Sequence, residues 1–168
     1  MYFLFETDRL IIRRLSTDDA EILLKYSQEE IRRKELPDEV FENIEDIKKA
    51  IEYFIMNYDY KFPLVYGIVT KENRNIIGHL SLSKIDKGME IGYAIGTDYQ
   101  NKGYASELIV PFTSWAKEKF KLDKIYGIVK LNNIPSWKIL ERNGFSLLEE
   151  GKFKKYFNGE HITRIYVK

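Results

Sequence analysis

Residues 98–109 combine side chains that can hold an anion with the start of a helix. They read DYQNKGYASELI, in which Gln100, Asn101, Lys102 and Gly103 precede a segment with apolar residues at helical spacing. The first backbone N–H groups of a helix have no partner within it, and the helix dipole adds positive charge there. Such a junction binds phosphate. The same polar residues are also typical of a plain turn, so the stretch alone predicts either a phosphate site or a turn.

Individual residues of this stretch favour the phosphate site. Gly103 has no Cβ where the backbone must approach a ligand, Lys102 contributes a positive charge, and the small Ala105 leaves the helix face open. Gln100 and Asn101 can donate hydrogen bonds to a diphosphate. The glycine spacing is neither that of the dinucleotide fingerprint nor that of a P-loop. The residues therefore indicate an anion site without naming its ligand.

The composition excludes other kinds of site. The chain has no cysteine, which removes disulfides, thiolate zinc sites and cysteine nucleophiles. His79 and His161 are the only histidines, and neither H-E-x-x-H nor G-x-S-x-G is present, so no metal site and no hydrolase triad are expected. The 27 basic and 26 acidic side chains give a net charge of +1, which provides no overall field for nucleic acid or an anionic membrane.

The targeting signals that a sequence can carry are not evident here. The N-terminal residues lack the pattern of a signal peptide. No run of about 18 apolar residues occurs, so no transmembrane helix is expected. We therefore expect a cytoplasmic protein whose partners include neither nucleic acid nor a membrane.

The elements around the stretch follow from hydrophobic periodicity. A strand is expected at Met89–Gly96, directly before the stretch, and a helix from Ala105 to Phe120, which Pro111 should interrupt and kink. The charged segment 29–43 is expected to be short helix and loop. The other predicted strands are Arg9–Leu15, Pro63–Thr70, Ile76–Ser83, Lys124–Lys130, Ser146–Phe157 and His161–Lys168. A turn at Asn158–Gly159 joins the last two strands. One further helix is expected to begin after an N-cap at Ser16 or Thr17, and two others are expected at Ile44–Tyr60 and Asn133–Asn143.

This order of elements defines the fold class. The predicted order is one strand, two helices, three strands, a helix, a strand, a helix and two strands. This order is typical of a mixed α/β protein. The three consecutive strands in the middle of the chain predict an antiparallel meander. The 168 residues contain neither a repeat nor a linker, so we expect one domain over residues 1–168.

Several segments in this order resemble a known family. Q-N-K-G-Y-A is similar to the Q/R-x-x-G-x-G/A signature of the GNAT superfamily of acetyl-CoA-dependent N-acetyltransferases. The family's first strand and first helix are similar to TDRLIIRRLSTDDAE, and its strand before the loop is similar to MEIGYAIG. A later family segment, N-x-x-S-x-x-x-L-x-x-x-G-F, is similar to NNIPSWKILERNGF. The resemblance implies a single-domain fold with a mixed, mostly antiparallel sheet flanked by helices. The ribosomal-protein N-terminal acetyltransferase branch, which also includes enzymes for small amines and antibiotics, is the most similar.

The resemblance also implies how acetyl-CoA is bound. The pyrophosphate would lie against Gln100, Asn101, Lys102, Gly103, Tyr104 and Ala105, and the pantetheine arm against backbone groups of Tyr93, Ala94 and Ile95. Asn133 would bond the cofactor on its other side, and Ser136 would lie near the sulfur. Both also suit simple structural roles, Asn133 as a helix N-cap and Ser136 as a first-turn residue. The charged residues 28–42 suit a solvated surface, and the resemblance places the acceptor site along them.

The implied chemistry is direct transfer from the thioester to an amine. It requires a neutral amine, a hydrogen-bond donor for the oxyanion and a proton for the leaving sulfur. A backbone N–H near Ala94 or Ile95 would be the donor, and Glu90 would be the base, unless Glu90 simply lies on an exposed strand face. Two departures weaken the match: Leu140 stands where many members have the tyrosine proton donor, and Lys155 where the ribosomal-protein enzymes have a glutamate.

The expected function is therefore transfer of an acetyl group from acetyl-CoA to a primary amine. The acceptor could be a peptide N-terminus, a polyamine-like metabolite or an amine antibiotic. An acyl-CoA-binding sensor without turnover is the main alternative, and a nucleotide-binding protein that uses the same loop is another. Either a monomer or a homodimer is compatible with the sequence.

Overall fold

The computed structural model describes residues 3–58, 61–155 and 159–168. The strands are β1 (Phe3–Glu6), β2 (Leu10–Arg14), β3 (Leu64–Thr70), β4 (Ile76–Ile85), β5 (Gly88–Ile95), β6 (Tyr126–Lys130), β7 (Ser146–Gly151) and β8 (Thr163–Val167). The α-helices are α1 (Ala20–Ser27), α2 (Glu30–Glu35), α3 (Ile44–Asn57), α4 (Tyr104–Phe120) and α5 (Ile134–Arg142). Among the described residues, short 3-10 turns cover Thr17–Asp19, Pro37–Glu39 and Thr97–Tyr99.

The eight strands form one mixed sheet in the order β1-β2-β3-β4-β5-β6-β8-β7. β1, β2, β3 and β4 pair antiparallel in succession, and so do β6 with β8 and β8 with β7. β5 pairs with β6 in parallel, with Glu90 opposite Tyr126. The predicted class, a mixed and mostly antiparallel sheet with helices, is confirmed.

The chain divides into two compact units. The first consists of Met1–Leu82 and Tyr93–Tyr104, and the second of Ser83–Gly92 and Ala105–Lys168. The core of the first unit consists of apolar residues from β2, β3 and β4 and from helices α1 and α3. Its buried members are Ile11, Leu15, Ala20, Leu23, Ile47, Ile51, Val65, Val69 and Ile76. These positions recur at a spacing of four in or next to the strands and of three or four in the helices, so they lie on one face of each element, as hydrophobic periodicity predicts.

A buried ion pair fixes the turn from β2 to α1 in the first unit. Arg13 and Asp19 form two hydrogen bonds of 2.7 Å, and both side chains are less than a tenth exposed. Asp19 also accepts a hydrogen bond from the backbone N–H of Ser16, which completes a capping box. The side-chain hydrogen bond and the charge of Asp19 together outweigh burial and raise the pKa of Arg13. This turn therefore needs both charges.

The second unit packs α5 against β6. Leu140 is 3% exposed, and a Cβ added at Gly127 would come within 2.9 Å of its Cδ1 atom. Tyr166 on β8 donates a hydrogen bond of 2.8 Å to Glu141. Since a larger residue at position 127 would displace Leu140, Gly127 sets how closely helix and strand approach.

Several element boundaries differ from the sequence predictions. β1 was not predicted, because its four residues are too short to show a period. The predicted interruption of the fourth α-helix was wrong: α4 continues through Pro111. The strand predicted from Ser146 was too long, since β7 ends at Gly151, opposite Thr163. The predicted Asn158–Gly159 turn and the end of the helix predicted to reach Tyr60 include positions outside the described residues.

Candidate functional site

The loop between β5 and α4 has the backbone geometry of an anion site. β5 ends at Ile95, a 3-10 turn covers Thr97–Tyr99, and α4 begins at Tyr104. Asn101 and Gly103 both adopt left-handed backbone conformations, with φ of 60° and 81°. Left-handed residues within a turn can direct successive N–H groups into one concavity, where they bind anions. The first turn of α4 adds further N–H groups directly after this loop.

Arg9 supports this loop from a distant part of the chain. Its Nη1 atom donates a hydrogen bond of 2.9 Å to the carbonyl oxygen of Lys102. Its guanidinium carbon lies 4.5 Å from the ring centroid of Tyr104. A Cβ added at Gly103 would be 3.4 Å from Nη2 of Arg9. Arg9 thus fixes the loop and brings a second cation to it. Sequence reasoning missed this role, because no local pattern links residues 9 and 102.

Two polar side chains of the loop have partners within the protein. Gln100 donates a hydrogen bond of 2.9 Å from Nε2 to the carbonyl oxygen of Ile95. The ammonium of Lys102 lies 5.2 Å from the ring centroid of Tyr99. Gln100 therefore ties the loop to the end of β5 with one amide hydrogen and keeps a second for another acceptor.

The end of β5 lies unusually close to β4. A Cβ added at Gly78 would be only 2.0 Å from the carbonyl oxygen of Ala94. The N–H of Gly96 donates a hydrogen bond of 2.9 Å to the carbonyl oxygen of Ile77. Because backbone groups alternate in direction along a strand, those of Ala94 and Gly96 point towards β4 and those of Ile95 point away from it. Gly78 is a second residue whose importance the sequence did not reveal.

The end of α1 and the residues after it contact the same loop. Glu29 accepts hydrogen bonds from the backbone N–H and the hydroxyl of Thr97, at 3.1 and 2.8 Å. A Cβ at Gly96 would lie 2.5 Å from the ring of Tyr26. Part of the charged segment 28–42 therefore lies beside the end of β5, where it is held by specific bonds instead of forming only a solvated surface.

The remaining predicted site residues lie in the second unit. Glu90 is half-buried on β5, and Ala105 is half-buried on α4. Asn133 is the N-cap of α5, since its Oδ1 accepts a hydrogen bond of 3.3 Å from the N–H of Ser136. The structure thus brings Tyr93–Ile95 and residues 100–104 together in the first unit, and places Glu90, Ala105, Asn133 and Ser136 in the second.

The two departures from the family pattern have structural roles. Leu140 is a core residue of the second unit and carries no titratable group. Lys155 forms an ion pair of 2.9 Å with Asp86. Leu140 therefore cannot donate a proton, and Lys155 places a cation paired with Asp86 where the ribosomal-protein enzymes have a carboxylate.

Two negative findings apply to residues 3–58, 61–155 and 159–168. Among these residues, no group of three or more His, Cys, Asp or Glu side chains is placed to hold a metal ion. In the same part of the chain, no helix combines the length and the apolar character needed to cross a membrane.

Comparison with known proteins identifies the family. A family model described as the acetyltransferase (GNAT) domain matches residues 9–146. The chain belongs to the GNAT acetyltransferase family. It is 31% identical to the N-acetyltransferase YoaA of Bacillus subtilis, over 99% of this chain and 96% of that protein. The chain is accordingly an enzyme, an N-acetyltransferase, and members of this family use acetyl-CoA as the acyl donor.

Solved structures have the same fold. A GNAT acetyltransferase from Bacillus anthracis aligns with a TM-score of 0.83 and 24% identity, over 99% of this chain and 97% of that one. The ribosomal L7/L12 α-N-protein acetyltransferase RimL, solved in complex with coenzyme A, aligns with a TM-score of 0.83 and 19% identity, over 99% and 97%. The family resemblance predicted from the sequence is thereby confirmed, including the presence of ribosomal-protein enzymes among the structural neighbours.

Proposed function

We propose that this enzyme, acting as one domain over residues 1–168, binds the diphosphate of acetyl-CoA at residues 100–105. The observation that carries the proposal is the left-handed backbone at Asn101 and Gly103, just before α4 and beside the cations of Arg9 and Lys102. A diphosphate complements such a loop in both shape and charge. Gly103 suits this position because its φ of 81° lies in the left-handed region that other residues rarely adopt, whereas an added Cβ would make only ordinary contact with Arg9.

The pantetheine arm extends along Tyr93, Ala94 and Ile95 in this proposal. Pantetheine contains two amides, which match the donors and acceptors of a strand. The direction of the backbone groups refines the assignment. Because the carbonyl oxygen of Ala94 points towards β4, Ile95 and not Ala94 offers its N–H to the thioester carbonyl. Asn133 and Ser136 remain proposed contacts of the donor, Asn133 through the amide nitrogen that its N-cap bond does not use.

Transfer proceeds by attack of a neutral amine on the thioester carbon. The new N–C bond forms as the carbonyl oxygen becomes an oxyanion, which accepts a hydrogen bond from the N–H of Ile95. Glu90 takes a proton from the amine, directly or through water. The C–S bond then breaks, and the departing CoA thiolate takes a proton from Ser136 or from water. Leu140 cannot supply that proton, which is why we assign it to Ser136 or water.

The test is release of CoA from acetyl-CoA with a panel of primary amines. A thiol reagent measures CoA without background, because the chain has no cysteine. We expect Glu90→Gln to lower kcat by about 100-fold or more, as loss of a general base does. Glu72→Gln, at an exposed position in the turn after β3, is the matched control and should be neutral.

Two results would contradict the proposal. Tight binding of acetyl-CoA without CoA release for any amine would indicate a sensor instead of an enzyme. Unchanged kcat and an unchanged pH profile in Glu90→Gln would exclude Glu90 as the base while leaving the donor site intact.

A further inference from the structure

The 3-10 turn Thr97–Tyr99, which connects β5 to the anion loop, has no cap of its own. Its N-cap position is Gly96, which has no side chain to accept a hydrogen bond. Ser, Thr, Asp or Asn commonly caps the first N–H groups of a helical turn. None of these residues fits at position 96, because an added Cβ would lie 2.5 Å from the ring of Tyr26. The cap for Thr97 must therefore come from another part of the chain.

The carboxylate of Glu29 provides this cap from 68 positions away. The backbone N–H of Thr97 lies 3.1 Å from both Oε1 and Oε2 of Glu29, and the hydroxyl of Thr97 donates a hydrogen bond of 2.8 Å to Oε1. Hydrogen bonds to an ionised acceptor are stronger than those between neutral groups. Glu29 therefore binds both the backbone and the side chain of Thr97 and fixes the start of the turn.

The backbone of Glu29 is itself held where α1 meets α2. Its N–H donates a hydrogen bond of 3.3 Å to the carbonyl oxygen of Tyr26. Its carbonyl oxygen accepts hydrogen bonds of 2.8 and 3.1 Å from the N–H groups of Arg32 and Arg33, near the start of α2. The carboxylate is thus carried by a helix junction whose backbone is bonded on both sides.

The turn passes its position on to the residues proposed to bind the diphosphate. The N–H of Gln100 donates a hydrogen bond of 3.2 Å to the carbonyl oxygen of Thr97. Asn101 and Gly103, whose left-handed backbone shapes the anion loop, follow directly. All of these residues and Glu29 belong to the first unit. A shift of Thr97 would therefore move the N–H groups of the anion loop.

The charge of Glu29 by itself opposes binding of the donor. A carboxylate a few residues from a diphosphate site repels the anion, so its charge alone raises KM for acetyl-CoA. A glutamate is favourable here only if its hydrogen bonds to the turn contribute more than its charge costs. Removal of the carboxylate therefore has opposite effects on KM in the two cases, and the two roles can be separated.

We propose that Glu29 is a positioning residue for the acyl donor, and that by capping Thr97 it holds residues 100–104 in the shape that binds the diphosphate. This inference rests on the proposed function and adds a residue that acts through Thr97. The end of β5 is held separately, by the hydrogen bond from the N–H of Gly96 to the carbonyl oxygen of Ile77. The proposed oxyanion donor at Ile95 thus keeps its place without Glu29, so its loss should affect donor binding and not kcat.

The test measures kcat and KM for acetyl-CoA by CoA release, and the Kd of CoA by titration calorimetry. Glu29→Ala should raise both KM and Kd by about 5- to 10-fold, as loss of a cap does, and should change kcat by less than about 2-fold. Glu30→Ala is the matched control, because it removes an equal charge from the exposed next residue. In this control KM should be unchanged or slightly lower.

Variants of Thr97 separate capping from a general structural role. Thr97→Ser keeps both donors and should match wild type. Thr97→Val loses the hydroxyl and should raise KM for acetyl-CoA by about 2- to 3-fold. In the Glu29→Ala background, Thr97→Val should have no further effect, because the acceptor of the hydroxyl is already gone.

An unchanged or lower KM in Glu29→Ala would show that Glu29 acts only through its charge. Independent effects of Glu29→Ala and Thr97→Val would show that they do not act through one contact, and either result would overturn the inference. If wild type and Glu29→Ala bind CoA equally tightly, the inference alone fails. If wild type binds no CoA, the proposed function fails, and the inference fails with it.

Discussion

Gly78→Ala tests whether the close approach of β4 to β5 positions the donor. The added Cβ would lie 2.0 Å from the carbonyl oxygen of Ala94, whereas ordinary contact begins at 3.4 Å, so the two groups must separate by 1.4 Å. Both are held by backbone, and no side chain can rotate away. The φ of 157° at Gly78 is also unfavourable for alanine. We therefore expect backbone strain to destabilise the folded state of Gly78→Ala by about 1–3 kcal/mol, and overpacking to destabilise it by a similar amount.

The effect on activity follows from the displacement of β5. A misplacement of about 1 Å in the substrate-binding backbone can lower activity by about 100-fold. We expect kcat/KM for acetyl-CoA to fall by about that factor, and the urea midpoint to fall with it. Urea unfolding and steady-state kinetics, both at low temperature to keep the variant folded, measure the two effects separately.

The matched control for this variant is Gly151→Ala. At that position the new Cβ would be 3.6 Å from Cζ of Phe153, which is ordinary contact, and the backbone is not left-handed. We expect the stability and kinetics of Gly151→Ala to match wild type. A folded Gly78→Ala protein with wild-type kcat/KM would refute the idea that this contact sets the geometry of the donor site.

Three further perturbations test the loop and the core. Arg9→Gln removes the ring contact with Tyr104 and the cation that holds Lys102, and should raise KM for acetyl-CoA by about 3- to 10-fold with little change in stability. Asp19→Asn leaves the buried Arg13 without its anion, and should lower the free energy of unfolding, measured with urea, by about 3–5 kcal/mol. Tyr58→Phe tests alkaline stability: burial raises the pKa of Tyr58 from 10.0 to about 12, so the folded state favours the neutral phenol. The contribution of Tyr58 is present below pH 10 and is lost as pH rises towards 12, so wild type should lose about 2–3 kcal/mol more than the variant, which keeps only the similar contribution of Tyr26.

Each of these expectations has an opposing outcome. An unchanged KM in Arg9→Gln would mean that the loop keeps its shape without the arginine. A loss below about 1 kcal/mol in Asp19→Asn would mean that Arg13 is solvated or finds another partner. The stability difference between wild type and Tyr58→Phe should shrink between pH 9 and 12, and a constant difference would show that the phenol does not titrate in this range.

Local patterns in the sequence predicted the order of elements and the anion loop. Turn chemistry and periodicity depend on residues within one or two turns of each other, so QNKG before a helix and the apolar spacing of α3 could be read directly. The boundaries were less accurate. The Lys and Phe residues after Gly151 alternate as in a strand, but β7 ends there, because strand pairing depends on its partner and not only on alternation.

Only the tertiary structure revealed the residues that shape the site from a distance. Arg9 reaches Lys102 across 93 positions, Gly78 lies against Ala94, and Arg32 on α2 is buried. In the sequence, Arg32 is one charge among many in a polar segment, and its type predicts exposure. Burial and pairing depend on which strands and helices become neighbours, and sheet order decides that. The sequence determined the order of the elements and predicted a loop for the acyl donor, because both depend on neighbouring residues, and the packing decided which distant residues lie beside the end of β5.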